Sequence, residues 1–516
     1  MSAFEMVHQD DVVGTLTCFD RLIFKGHLLA LYHPGGMAAF LETQGVKLVG
    51  WKSYVAKMTD GLATHVQGLA AQAGRPYEFL ARNYTKATGH SKEELAREIA
   101  ERDGITSGLI CVFAALEPCW SFDVVGNRDT HRLGVVRRKR VCRQFYLYLI
   151  DDQLGFCHVK LQSWFPFEIQ IWCNGHDMLA RALDKAHIDY LKVNNAFYRV
   201  SNWQRAQALA DRIGSRRWPR LLGRLASWVN PYLPLFAKAD FGTYYWVADQ
   251  AEISTDITFR TRPTLEQILP ATFAHAASAF SAEDVLRFLG RKLTPTLAAE
   301  VNTDARRRPE GWRIKHRMGR NHVKLYDKGP VLRVETTINQ PDQFRVLRVK
   351  DGHRAWCPMK KGVADLYRFY QVGRASNQRY LEGLAAAPDH RPGVIALDRL
   401  CRPRRNRGRH HSRLNPIDNK DLALFRAVMA GEHAIIGFRN THIQQRLWHR
   451  PPTDPAEAKR RCAHISRQLA KLRGHGLIAK VPHHRLYRVT PYGHRVMTAA
   501  IAIHDHAFPS AYAAAA

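Results

Sequence analysis

"HVKLYDKGPVLRVETT" (322–337) reads as two strands joined by a tight turn at Gly329-Pro330. Side chains alternate along a strand, so Val323, Leu325 and Asp327 share one face, and His322, Lys324 and Tyr326 share the other. On the return strand Leu332, Val334 and Thr336 lie together, opposite Arg333, Glu335 and Thr337. One side of the hairpin suits a core. The other gathers a tyrosine, an acid and cations at a density that a purely structural hairpin does not need. Arginines crowd the residues just before it.

Working outward, "TYYWVADQAEISTDITF" (243–259) is rich in β-branched and aromatic residues and reads as strand. Residues 108–175 are strand-rich, with "DDQLG" as a hairpin turn and "FEIQIW" as a further strand. Helices flank these strands. Ser91 and Glu94 form a capping box for "SKEELAREIAERDG" (91–104), and Ser281 caps "SAEDVLRFLGRKL" (281–293). Residues 176–240 and 358–385 are also mostly helical. The fold class is therefore α+β and multidomain, with a central antiparallel-rich mixed sheet. The expected organisation is an N-terminal mixed α/β region (1–107), a central α+β domain carrying the candidate site (108–385), a basic linker (386–416) and a C-terminal module (417–505).

The chain has 516 residues and a net charge of +31. A folded, aromatic-containing protein this basic points to a polyanionic partner, nucleic acid before membrane. The best apolar run, "GLICVFAALEPCWSF" (108–122), is broken by Glu117-Pro118 and is too short to span a bilayer. The acidic start "MSAFEMVHQDD" is not a signal peptide. Nine scattered cysteines with no Cys-x-x-Cys pair read as reduced, mostly buried thiols of a cytoplasmic, nucleoid-associated protein rather than zinc ligands. Nucleotide- and dinucleotide-binding glycine loops and His-Glu-x-x-His are missing, which argues against ATP- or NAD-driven chemistry.

The C-terminal module is the clearest segment. "NKDLALFRAVMAGEH" and "GFRNTHIQQRLW" have helical spacing, the latter with Asn440 or Thr441 as cap. "DPAEAKRRCAHISRQLAKLRGHGLIAKV" is a long helix with the apolar stripe Ile465, Leu469 and Leu472. "HHRLYRVTPYGHRVM" forms a basic hairpin and a closing helix. The "KLRGHGLI" and "YRVTPYG" runs resemble the winged helix-turn-helix domains of bacterial regulators. That resemblance implies a third helix in a major groove and a wing on the backbone. Arg460, Arg461, His464, Arg467, Gln468 and Lys471 would then face the nucleic acid, with Arg485 and Arg488 on the wing.

"VKLYDKG" followed by "LRVE" resembles rolling-circle replication initiators of filamentous phages and small plasmids. The resemblance reaches Tyr326, Asp327, Lys328, Arg333 and Glu335, and implies a tyrosine nucleophile assisted by a divalent metal. The His-hydrophobic-His motif of those enzymes is absent; "CHVKLQ" offers only His158 and Gln162. Carboxylates are the other way to hold Mg²⁺ or Mn²⁺ for phosphodiester cleavage. Asp249, Glu252, Asp256, Asp327 and Glu335 are the candidate ligands, with Tyr326 as candidate nucleophile. "RRRPEGWRIKHRMGRNHVK" (306–324) suits phosphate contacts with one stacking platform, through Arg306, Arg307, Arg308, Trp312, Arg313, Lys315, Arg317, Arg320 and Lys324. "RRKR" (137–140) and "RPRRNRGRHH" (402–411) read as auxiliary backbone contacts or tethers. Trp164, Phe165, Phe167 and Trp172 read as core.

The expected function is nucleic-acid binding with DNA favoured and RNA possible, in a mobile-element replication initiator, recombinase or metal-dependent nuclease. The alternative is a non-enzymatic winged-helix regulator with a large N-terminal interaction domain.

Overall fold

A computed structural model describes residues 2–81, 84–126, 131–291, 301–308, 311–350, 352–387, 394–406, 408–448, 450–482, 484–507 and 509. In chain order the strands are β1 (Val12–His27), β2 (Tyr77–Leu80), β3 (Gly108–Gly126), β4 (Leu133–Asp151), β5 (Gly155–Gln162), β6 (Ile169–Asn174), β7 (Tyr190–Val193), β8 (Ala196–Val200), β9 (Tyr245–Phe259) and β10 (Val301–Arg308). They continue with β11 (Gly311–Met318), β12 (Asn321–Lys328), β13 (Val331–Ile338), β14 (Arg345–Lys350), β15 (His353–Pro358), β16 (Arg404–Asn406), β17 (Arg409–His411), β18 (Ile478–Lys480) and β19 (Tyr487–Val489). Among the described residues, eleven strands form one mixed sheet in the order β10-β11-β12-β13-β9-β1-β6-β5-β4-β3-β2, and the other strands form two-stranded ribbons. The chain is α+β, as its sequence predicts.

Chain contacts divide the molecule into a first unit, Met1–Leu16, Ser254–Thr336 and Val372–Ala516, and a second, Thr17–Ile253 and Thr337–Gln371. The division falls inside β1, β9 and β13.

In the first unit, the quoted hairpin forms as its alternation predicts. Val323 and Leu325 of β12 and Leu332 and Val334 of β13 are buried with Ile314, Phe273, Phe288, Tyr380 and Leu381. The helix Ala282–Phe288 has the Ser281–Asp284 capping box; residues 292 and 293 of the predicted helix lie outside the described residues. His316 is buried in this core, with its ring nitrogens 2.9 Å from the Thr303 hydroxyl and 2.9 Å from the Tyr380 hydroxyl. Burial lowers its pKa from 6.5 to about 4. The neutral ring is the buried form, so its contribution to stability is complete above the unfolded value and is lost as pH falls toward the folded one. Stability should drop between pH 7 and 5, and His316→Asn should lessen that drop by about 1–2 kcal/mol. Denaturant titrations of both proteins across this range measure it; parallel pH profiles would contradict it.

The C-terminal part of this unit has helices Asn419–Val428, Gly431–Ile436, Asn440–Leu447, Pro455–Gly474 and Pro491–Ala502 around β18 and β19. Phe438 bridges to Tyr487 and adds a third short strand position. The stripe Ile465, Leu469 and Leu472 is buried with Leu422, Phe425, Ile443 and Val496. Neither Asn440 nor Thr441 caps its helix: Arg439 occupies the N-cap position. The Asn440 amide instead donates to the Cys462 carbonyl at 3.0 Å and to the Ser466 hydroxyl at 2.9 Å, which ties this helix to Pro455–Gly474. The glycine of "YRVTPYG" is explained by close approach, since a Cβ on Gly493 would lie 1.9 Å from the Leu477 carbonyl oxygen. The segment read as a linker contains a helix, Val394–Leu400, and the β16–β17 ribbon, whose Arg404 donates to the His475 carbonyl at 3.0 Å. Its residues 388–393 and 407 are outside the described residues.

In the second unit, β3, β4, β5 and β6 pair antiparallel, while β2 joins β3 in parallel. Phe165, Phe167 and Trp172 are buried, in keeping with the core reading, and Trp164 is half-buried. Among the described residues no helix is long and apolar enough to cross a membrane.

Candidate active site

The polar face of β12 and β13 converges on one carboxylate. The Tyr326 hydroxyl donates to Glu335 Oε2, and Lys324 Nζ donates to Glu335 Oε1. Glu335 is 1% exposed. Strand register extends this face. Arg313 of β11 is opposite Tyr326, Lys315 is opposite Lys324, and Arg306 of β10 is opposite Arg313. Cross-strand partners project to the same side of a sheet, so these cations flank the tyrosine. Arg317 lies opposite His322 on the same face. Burial, helped by the charges of Lys324 and Lys315, pushes the His322 pKa down to about 2, so this imidazole is neutral and leaves the positive charge to its neighbours. Arg306 is partly engaged by Asp304 at 2.7 Å. Trp312 is 49% exposed but is paired with Arg307 on the opposite face, because it is one residue out of phase with Arg313. It therefore does not serve the face that carries Tyr326. Arg320 is exposed, Lys328 is half-buried, and the Arg308 side chain is outside the described residues.

Two further buried acids lie on β1 and β9. Asp20 accepts from the Asn174 amide at 3.2 Å and from the Asn195 amide, and His176 Nδ1 lies 3.7 Å away. Asn174 is oriented by a second duty. It caps the helix Gly175–Lys185, its Oδ1 accepting from the His176 backbone N–H at 2.7 Å, so its NH₂ is left to face Asp20. Glu252 accepts from Gln250 at 2.9 Å and from Thr337 at 3.3 Å, with Arg21 at 3.9 Å.

Asp20, Glu252 and Glu335 are all buried. Asp20 and Glu252 belong to the second unit and Glu335 to the first. A carboxylate is a hard oxygen donor of the kind that suits a divalent ion.

Of the five acids that the sequence proposed, Glu335 accepts from Tyr326 and Lys324 in the first unit, and Glu252 accepts from Gln250 and Thr337 in the second. The other three are bound to cations elsewhere. Asp256 makes a bidentate pair with Arg333 at 2.6 and 2.7 Å, and both are 1% exposed or less. Arg333 is thus a structural cation, not one available to a phosphate. Asp327 accepts from Arg262, which also donates to the Gly329 carbonyl at 2.7 Å. It lies on the core face of β12, away from Tyr326. Asp249 is held by Lys25 and Lys361, both at 3.0 Å, whose hydrogen bonds outweigh burial and lower its pKa. Asp20 was missed. Its only sequence signal is a lone acid in the apolar strand "TLTCFDRLIF", and nothing there indicates that Asn174 and Asn195 meet it.

In the C-terminal module, Arg460, His464 and Arg467 are exposed at helical spacing. Arg461 is bound to Glu457 at 2.6 Å and Lys471 to Asp421 at 3.2 Å. Gln468 Oε1 is buried and has no hydrogen-bond partner among the described residues. Arg485 and Arg488 are exposed beside the β18–β19 turn.

Comparison with known proteins finds no matching family, no matching curated protein and no matching solved structure.

Proposed function

We propose that this chain is a nucleic-acid-processing protein of the replication-initiator type, which cuts a DNA strand with Tyr326 as nucleophile. The observation that carries this reading is the Tyr326–Glu335 hydrogen bond at the edge of a row of cations. In the proposed step Tyr326 Oη bonds to phosphorus while the bond from phosphorus to the leaving oxygen breaks. Glu335, already the acceptor of the Tyr326 proton, takes that proton, and the leaving oxygen takes one from water. Arg313, Lys315 and Lys324 bind and orient the anionic backbone. Glu335 would help to hold Mg²⁺ or Mn²⁺, which would supply electrostatic stabilisation of the charge that builds on the phosphoryl oxygens. Incubating the protein with single-stranded and duplex DNA in either metal, and assaying for cut strands and a covalent adduct, tests this. Absence of cleavage of both DNA and RNA would sink the enzyme reading and leave that of a regulator.

The C-terminal helices and hairpin have the order of a winged helix, which supports duplex binding through Pro455–Gly474 and the wing. Exposed Arg460 and Arg467 are the better test of that reading than Arg461, whose guanidinium is committed to Glu457. Arg460→Ala with Arg467→Ala should weaken duplex binding and reduce the slope of log affinity against log salt by about two, about one per lost phosphate contact. Arg461→Ala should do less. An unchanged slope in the double variant would remove this helix from the interface.

A further inference from the structure

Among the described residues, the ribbon β14–β15 pairs with no other strand. Its inner face is anchored: Val346 is buried, as are the flanking Phe344 and Met359, and Arg348 pairs with Asp365. Register places Leu347 opposite Trp356, Val349 opposite Arg354, and Arg345 opposite Pro358, so these residues share the outer face. Among the described residues, nothing covers that face. Trp356 is 60% exposed, Val349 71% and Leu347 41%. Arg345 and Arg354 are exposed beside them, and the Arg368 guanidinium lies 5.5 Å from the centre of the Trp356 ring. No carboxylate projects from this face among the described residues.

A large apolar surface left in water marks a contact site. Its rim identifies the partner. A second copy of this chain, packed face to face, would bring arginines against arginines with no acid to answer them. An open aromatic ring between guanidinium groups is instead matched by unpaired bases joined by phosphates: the bases stack and the cations neutralise the backbone. A duplex hides its base faces and cannot use Trp356 in this way. We propose that the outer face of β14–β15 binds single-stranded nucleic acid, with a base stacked on Trp356, Leu347 and Val349 covering its neighbour, and Arg345 and Arg354 on the phosphates. This rests on the reading of the chain as a nucleic-acid-processing protein and adds a site for the unpaired strand.

The test uses the full chain, a fluorescent oligothymidylate and a blunt duplex. Trp356→Ala should weaken oligothymidylate binding about ten-fold, in the range of one base–aromatic stack. Duplex affinity and melting temperature should not change. Trp356→Phe should restore the affinity, because the ring survives. Unchanged oligothymidylate binding in Trp356→Ala, with duplex binding intact, overturns this site alone. An equal loss on the duplex overturns the single-strand assignment. If the wild type sediments as a dimer that Trp356→Ala dissociates, the face belongs to a second copy and the proposal fails. If the wild type binds neither probe, the nucleic-acid reading falls with it.

Discussion

Glu335→Gln should abolish metal-dependent strand cleavage while leaving duplex binding intact. The substitution keeps the shape of the side chain but removes the charge that would attract a cation and accept the Tyr326 proton. Metal and proton-transfer assistance are together worth several kcal/mol at a phosphoryl centre, so the loss should be at least about a thousand-fold in rate. Glu335→Gln should also weaken Mn²⁺ binding measured by titration calorimetry without DNA. Tyr326→Phe separates the two roles: metal binding persists, while cleavage and the covalent adduct vanish together. Asp249→Asn is the control, because Asp249 is occupied by Lys25 and Lys361. Wild-type Mn²⁺ affinity and cleavage in Glu335→Gln would dismiss Glu335 as a metal ligand. Continued cutting by Tyr326→Phe would transfer the attack to water.

Asp256→Ala should be the most destabilising single change among the acids. It strips a fully buried arginine of its bidentate carboxylate, and breaking a buried pair from one side costs about 3–5 kcal/mol. That is a large fraction of the roughly 5–15 kcal/mol that holds a domain folded. Replacing both partners, with Asp256→Leu and Arg333→Met, should cost less than Asp256→Ala alone, because no desolvated charge is stranded. The sign of that difference separates structural pairing from a direct role in the reaction. Chemical denaturation of the single and double variants measures it. Near-wild-type stability in Asp256→Ala would contradict the assignment. The pair also bears on the site, since the Arg333 guanidinium lies 6.0 Å from the Tyr326 ring.

The hairpin at 322–337 shows how far local reading reaches. Its turn, its two faces and the side that enters the core were all legible, because side-chain alternation in a strand is a local geometric rule. The same rule already set Asp327 on the wrong face for Tyr326, and Arg262 is the partner that sequence could not supply. The capping boxes at Ser91 and Ser281 were legible for the same reason: donor and acceptor are three residues apart.

By itself the sequence determined the α+β class, the strand faces, the apolar stripe of Pro455–Gly474 and the strongly basic character, since each depends on periodicity or composition. It also singled out Tyr326, Glu335 and Glu252. Only the tertiary structure decided what each acid meets. Glu335 meets Tyr326 and Lys324, while Asp256 meets Arg333 from a strand far away in the chain, and such pairing is set by long-range packing that leaves no local mark. The tertiary structure likewise decided that Arg333 is buried with Asp256 and that Arg461 is bound to Glu457. A charge on a sequence is a potential contact, and whether it meets solvent, a phosphate or an opposite charge depends on what the fold places against it.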